Sequence, residues 1–145
     1  MQKLQGIAVS PGVAIGEAMV VDSEGFRIPR GFVARDAVED ELERLAGAMD
    51  AAGVEIESSR DATARELGSQ FAAIFDAHLQ MLRDPRLRSE LDSMIRDRHY
   101  SPEYAVNRTL GRYAKVFQEV QSSHLAERAT DLVDIKKRIL RNLLG

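Results

Sequence analysis

The side chains in this chain best equipped for chemistry are three histidines, His78, His99 and His124, and a dense population of carboxylates; there is no cysteine among the 145 residues. Without cysteine, thiolate catalysis, thiolate metal binding and a disulfide framework are all excluded. A metal face on a helix needs ligands three or four residues apart, and no two histidines have that spacing. Glu103 follows His99 by four, but Ser101-Pro102 breaks the chain between them, and Glu127 follows His124 by three. A lone Glu–His pair is the chemistry of a solvated contact, so no metal ligands are assigned. Gly6, Gly12 and Gly16 lack the Gly-Lys-Ser/Thr that a phosphate-cradling loop requires. Ser10 sits in a Ser-Pro-Gly turn with no histidine placed to activate it. No residue of the chain is assigned a catalytic role.

The run Lys136, Lys137, Arg138 and Arg141 raises nucleic acid as a partner. Cations in the last turns of a helix also oppose the negative end of its dipole, and these alternate with the apolar Ile135, Ile139 and Leu140. Residues 1–68 carry a net charge of −6 and residues 69–145 a net +3, for −3 in all. The pI near 5.6 lies far below the basic range of nucleic-acid-binding domains. No apolar run reaches the ~20 residues that cross a bilayer, and the N-terminus does not read as a signal peptide. A soluble, cytoplasmic protein that binds neither nucleic acid nor membrane is expected, in which the charge asymmetry can orient a partner.

The elements that must position these groups are mostly helical. Residues 1–22 differ: Ile7–Ser10 and Val13–Val21 are β-branched, punctuated by glycine and separated by Pro11-Gly12, and read as two strands. Two strands alone are marginal in water, so this segment wants a sheet supplied elsewhere. Residues 23–35 read as a linker. From Asp36, a capping-box variant with Glu39 opens a helix whose residues Val38, Leu42, Leu45, Met49, Ala52 and Ile56 form a seam of alternating four- and three-residue steps. A second helix spans about Ser69 to Arg83. Asp84-Pro85 and Ser101-Pro102 each place a cap before a proline at the first helical position. The helices they start carry Leu87, Leu91, Met94 and Ile95, then Val106, Leu110, Tyr113, Phe117 and Val120. A last helix from about Leu125 turns Leu132, Ile135, Ile139 and Leu143 inward, and Gly145 occupies the C′ position. The fold class is mainly α: an antiparallel four-helix-type bundle of two helical hairpins over 36–145, with a short N-terminal β segment.

The helix from Ser69 carries more apolar surface than one contact requires. At 100° per residue, Phe71, Phe75, His78 and Leu82 form a stripe expected to face the core, flanked by Ile74 and Met81 on one side and Leu79 on the other. Ile74, Ala77 and Met81 form a shoulder, with His78 at its edge and Leu87 across the Asp84-Pro85 break. Such a shoulder is covered either by a second helix of the same chain or by a partner.

Three blocks carry a resemblance: Gly6-Ile7-Ala8-Val9-Ser10-Pro11-Gly12-Val13-Ala14-Ile15-Gly16, then Ala73-Ile74-Phe75-Asp76-Ala77-His78-Leu79, then Glu127-Arg128-Ala129-Thr130-Asp131 through Arg141-Asn142-Leu143-Leu144-Gly145. In order and spacing they resemble the N-terminal region of enzyme I, the phosphoenolpyruvate–protein phosphotransferase of the bacterial sugar phosphotransferase system, over essentially the whole chain. The resemblance implies that a helical subdomain docks the histidine phosphocarrier protein. It further implies that a separate α/β domain bears the phosphorylated histidine, and that phosphoenolpyruvate and magnesium bind in a C-terminal barrel. Residues 1–22 would then belong to the α/β domain, 23–35 would link, and 36–145 would be the carrier-binding domain. The phosphohistidine would lie beyond 145, making this an inactive fragment of an enzyme, with no cofactor of its own.

Carried over position by position, Ile74, His78, Met81 and Leu87 match the family's apolar contact surface, and Arg128 and Asp131 match the segment bordering the α/β domain and the carrier. Where well-known members place acidic residues, this chain has Ser69 and Gln70, then Pro85 and Arg86; Asp84 alone keeps an acid. Rim charges set association rate and partner choice, so the resemblance implies a carrier of altered charge or weaker binding. It also admits a regulatory, nitrogen-type branch, a multiphosphoryl-transfer protein, or a helical adaptor without phosphotransfer.

Overall fold

The computed structural model describes residues 19–21, 27–29, 31–119 and 123–145, with side chains over 31–119 and 126–145. The described residues are mainly helical. Of the two strands expected before residue 22, the first, Ile7–Ser10, and residues 13–18 of the second lie outside the described residues, and the end of the second forms β1 (Met19–Val21). β1 pairs antiparallel with β2 (Arg27–Pro29), Met19 opposite Pro29 and Val21 opposite Arg27. The segment read as a linker therefore contains a strand. It also contains an isolated bridge from Phe32 to Tyr100 and a 3-10 turn at Arg35–Ala37.

Five helices follow among the described residues: α1 (Val38–Leu67), α2 (Ser69–Leu82), α3 (Pro85–Arg98), α4 (Pro102–Glu119) and α5 (Ser123–Leu144). The expected box between Asp36 and Glu39 does not form. Ala37 donates to the Ala34 carbonyl (2.9 Å), closing the 3-10 turn, and Ala37 itself takes the N-cap without a side-chain bond. Glu39, Asp40 and Glu41 still line the first turn, where the helix dipole favours anions. The two Pro-preceded starts form as the sequence predicts. Asp84 accepts from the Arg86 amide (2.9 Å), and Ser101 Oγ accepts from the Tyr104 amide (3.2 Å).

The 30 residues of α1 extend for about 45 Å. A single residue, Gly68, then reverses the chain: at φ 106° and ψ 158° it holds a conformation open only to glycine. α2 consequently folds back on α1, α4 and α5 pack along each other, and α1 joins the two pairs by packing on α5. Leu45, Ile56, Leu91, Ile95, Leu110, Ile135, Ile139 and Leu140 form the innermost core. All six residues of the α1 seam are buried, as are Leu132, Ile135, Ile139 and Leu143 of α5. Val120 lies outside the described residues.

The helical wheel of α2 needs a correction. Phe71, expected in the core stripe, is 54% exposed, whereas Ala72, Leu79 and Leu82 are buried and Phe75 is half-buried. The core stripe is rotated toward Leu79. The one-residue junction at Gly68 fixes how α2 lies on α1, and that constraint outweighs the pull of one phenyl ring.

Candidate functional site

The site is assembled from one face of α2, the α2–α3 turn and two facing helices. His78 is buried on α2, and its Nε2 lies 3.0 Å from Oδ1 of the equally buried Asp131 on α5. Arg128, one turn earlier on α5, donates from Nη1 to the other oxygen, Asp131 Oδ2, at 3.2 Å. Phe75 meets the imidazole edge-on with ring centroids 6.0 Å apart. A carboxylate accepts only, so Asp131 takes one bond from the imidazole Nε2–H and one from the guanidinium. Arg128 is the member of this trio that reaches solvent.

The residues predicted for docking divide into three groups. Ser69, Gln70 and Ile74 are exposed, Ile74 by 50%. Met81 is half-buried and packs on the core, and Arg128 is half-exposed. His78, Leu87 and Asp131 are buried. Ile74 and Met81 thus offer surface; His78 and Asp131 sit behind it, and Leu87 is a wall.

Two depressions flank the shoulder. A cleft of about 460 Å³ between α2 and α5 has Ala73, Ile74 and Ala77 on one side and Glu127, Arg128 and Thr130 on the other. A groove of about 430 Å³ opens below Met81, walled by Leu87 of α3, Leu110, Tyr113 and Phe117 of α4, and Leu132 of α5, with Asp84 and Arg86 at its rim. The α4 residues were assigned by sequence to the interior seam. Tyr113 and Phe117 are only partly buried, and the pairing of two aromatics one turn apart was the available signal that this seam reaches the surface.

Glu90 of α3 anchors the groove's far wall, accepting from both the Tyr113 hydroxyl and the Arg112 guanidinium. Burial and this bond to Glu90 raise the Tyr113 hydroxyl above its ordinary range, against the pull of Arg112. Tyr113 therefore stays a neutral donor at physiological pH. At the rim, Asp84 is held below the usual carboxylate range by the Arg86 side chain and backbone amide.

The basic run on α5 is not an open stripe. Lys136 is buried, and Arg138 pairs with Glu55 of α1 at 3.3 Å. His99 ends α3 in the left-handed region (φ 57°), with Nδ1 buried and without a hydrogen-bond partner. The side chain of His124 lies outside the described residues. Among the described residues no three His, Asp or Glu side chains group as a metal site, and no helix is long and apolar enough to cross a membrane.

Residues 5–128 match the family described as PEP-utilising enzyme, N-terminal. The phosphoenolpyruvate-protein phosphotransferase of Listeria innocua is 33% identical over 144 residues, 99% of this chain and 25% of that protein. The protein of the same name from Cupriavidus necator is 33% identical over 142 residues, 98% of this chain and 24% of its own length. The chain thus spans about a quarter of the curated relatives it matches. A solution structure of an enzyme I protein superposes with a TM-score of 0.78 at 33% identity, over 94% of this chain and 55% of the other. The N-terminal domain of a nitrogen enzyme I gives 0.73 at 31%, over 80% and 48%.

Proposed function

Since this chain belongs to the family of N-terminal domains of PEP-utilising enzymes, we propose that it is the part of a phosphoenolpyruvate–protein phosphotransferase that docks the histidine phosphocarrier for phosphoryl transfer. The observation that carries this reading is the apolar shoulder on α2: Ile74 half exposed, Met81 opening on an apolar groove, and Ala77 between them. A side chain such as Ile74 contributes more when a partner covers it than when water does, at about 25 cal/mol per Å² of apolar area.

Behind the shoulder, the bond between His78 and Asp131 fixes α2 against α5, so that the docking face is preformed rather than ordered on binding. Arg128, held by Asp131, presents its remaining N–H groups at the cleft beside Ile74. A guanidinium in that position suits a carboxylate or a phosphoryl oxygen. No side chain of this chain accepts the phosphoryl group in this reading. That histidine, and the magnesium and phosphoenolpyruvate that supply the phosphate, belong to further domains of a longer protein, of which α1–α5 form a two-hairpin, four-helix-type module and residues 1–22 a strand segment of the α/β domain. The place of action is the cytoplasm.

The test is an NMR titration of the labelled chain with the phosphocarrier encoded in the same genome. Shifts centred on Ile74, His78 and Met81, lost in Ile74→Asp, are expected; a saturating excess of carrier without shifts would refute docking. Ile135, 1% exposed, supplies the folding control, because Ile135→Asp buries an unpaired charge and should unfold the bundle. Met81 is the weaker probe, since it also packs on the core.

A second reading, a nitrogen-type regulatory phosphotransferase, draws on the similarity to the nitrogen enzyme I domain. Parallel titrations with sugar-type and nitrogen-type carriers separate the two.

A further inference from the structure

Tyr113 on the wall of the apolar groove is bonded to a polar neighbour. Arg112, the preceding residue, lies with its Cζ 5.5 Å over the Tyr113 ring, and both side chains are tied to Glu90. On the other side of that anchor a second cleft of about 380 Å³ opens between α3 and α4, its wall carrying Ser93, Asp97, Arg98, Arg108 and Arg112. Groove and cleft therefore adjoin across the Glu90, Arg112 and Tyr113 contacts, the first walled mostly by apolar and the second mostly by polar side chains.

The charges in the polar cleft do not cancel. Glu90 is already engaged by Arg112. Arg108 donates to a neutral group, the Tyr104 hydroxyl at 3.4 Å. Most described arginines, by contrast, sit on carboxylates, as Arg60, Arg83, Arg86, Arg88, Arg96 and Arg138 do. Arg98 and Arg108 line one cleft with Asp97 as the carboxylate left between them. The last turn of α3 also favours a cation at Arg98, but that leaves its N–H donors free for a ligand.

We propose that this cleft receives an acidic segment of the docked phosphocarrier, held by Arg98 and Arg108 while the carrier's apolar face fills the groove at Met81 and Tyr113. The inference rests on the docking reading above and adds the charge of the partner. An isolated small anion would use the arginines but leave the adjoining apolar groove empty. A protein face with an apolar centre and an acidic edge fits both. Guanidinium forks recognise carboxylates in a fixed geometry, and charges at a rim act mainly on the rate of encounter.

The test is the association rate of this chain with the carrier, at low and at high salt, for wild type, Arg98→Glu/Arg108→Glu, the milder Arg98→Gln/Arg108→Gln, and Ile74→Asp. The double reversal is expected to slow association roughly tenfold at low salt, the neutral pair to slow it less, and both differences to shrink as salt screens the charges. If Ile74→Asp abolishes binding while both arginine pairs associate at the wild-type rate or faster, docking stands and the acidic partner is refuted. If Ile74→Asp binds as wild type does, the docking reading itself fails. Inorganic phosphate, titrated alone, provides the remaining arm. Tight phosphate binding at the Arg98 and Arg108 side chains, with no effect of the arginine pairs on carrier association, would mark a small-anion site and overturn the proposal.

Discussion

The Nε2 of His78 and the Oδ1 of Asp131, 53 residues apart in sequence, meet at 3.0 Å between α2 and α5 with both side chains nearly sealed from solvent. Removing the acceptor strands a buried imidazole N–H. Asp131→Ala should lower stability by about 1–3 kcal/mol, read from the denaturant midpoint, while Asp131→Asn keeps a carbonyl acceptor and should recover part of it. The ¹⁵N spectrum of the imidazole should show the His78 proton on Nε2. A midpoint unmoved by Asp131→Ala would mean that the pair does not hold the helices together.

Arg44 forms a second clasp, joining α1 to α4 and to the end of α5. Its guanidinium donates to the buried Glu103 of α4 at 2.9 Å, to Glu41 at 2.7 Å, and to the Leu143 carbonyl at the end of α5 at 3.1 Å. Burial opposes the Arg44 charge, but the bonds to Glu103 and Glu41 outweigh it and raise its proton affinity above the ordinary range. Arg44→Ala leaves Glu103 buried and unpaired, and about 1–3 kcal/mol should be lost. Arg44→Ala/Glu103→Ala should cost less than the sum of its parts. Strict additivity in that cycle would show that the two side chains do not interact.

Two glycines should respond in opposite senses to the same substitution. A Cβ meets nothing within 4 Å at either Gly68 or Gly47, so backbone conformation alone decides. Gly68→Ala forces an L-residue into a glycine-only conformation and should cost about 1–3 kcal/mol. Gly47, an exposed position inside α1, should gain about 0.5–1 kcal/mol as alanine. Thermal melts of the two variants shifting in the same direction would contradict this account.

The acid limb of stability should contain a contribution from Asp84. Its carboxyl is held below the ordinary aspartate range by the Arg86 side chain and amide. A carboxyl depressed in the folded state stabilises fully above its unfolded value, and that contribution disappears as the pH falls through the lower folded value. The Arg86 amide shift should therefore titrate below the ordinary aspartate range, and Asp84→Asn should flatten that step. A midpoint at or above the ordinary aspartate value would refute the assignment.

Much of this fold is written in local patterns. The α1 seam from Val38 to Ile56 is buried throughout because a helix brings every third or fourth side chain to one face whatever surrounds it. Asp84-Pro85 and Ser101-Pro102 start α3 and α4 because a cap and a proline at the first helical position act within a few residues. The start of α1 was misread at Asp36 because Asp36 lies inside the 3-10 turn Arg35–Ala37, so its backbone is already coiled and the N-cap falls one residue later, on Ala37.

The sequence by itself determined the helices, the starts of α3 and α4 and the apolar excess of α2, since these depend on contacts within one or two turns. Only the tertiary structure decided how α2 is rotated, exposing Phe71 and burying Leu79, because that angle is set by the junction at Gly68 and by α1. It also decided that Leu87 becomes a wall while Tyr113 and Phe117 reach a groove, and that His78 finds Asp131. No spacing along the chain encodes a contact between helices so far apart; it exists because burying the apolar faces of α1, α2 and α5 together brings the buried imidazole of His78 onto the buried carboxylate of Asp131, which Arg128 also holds.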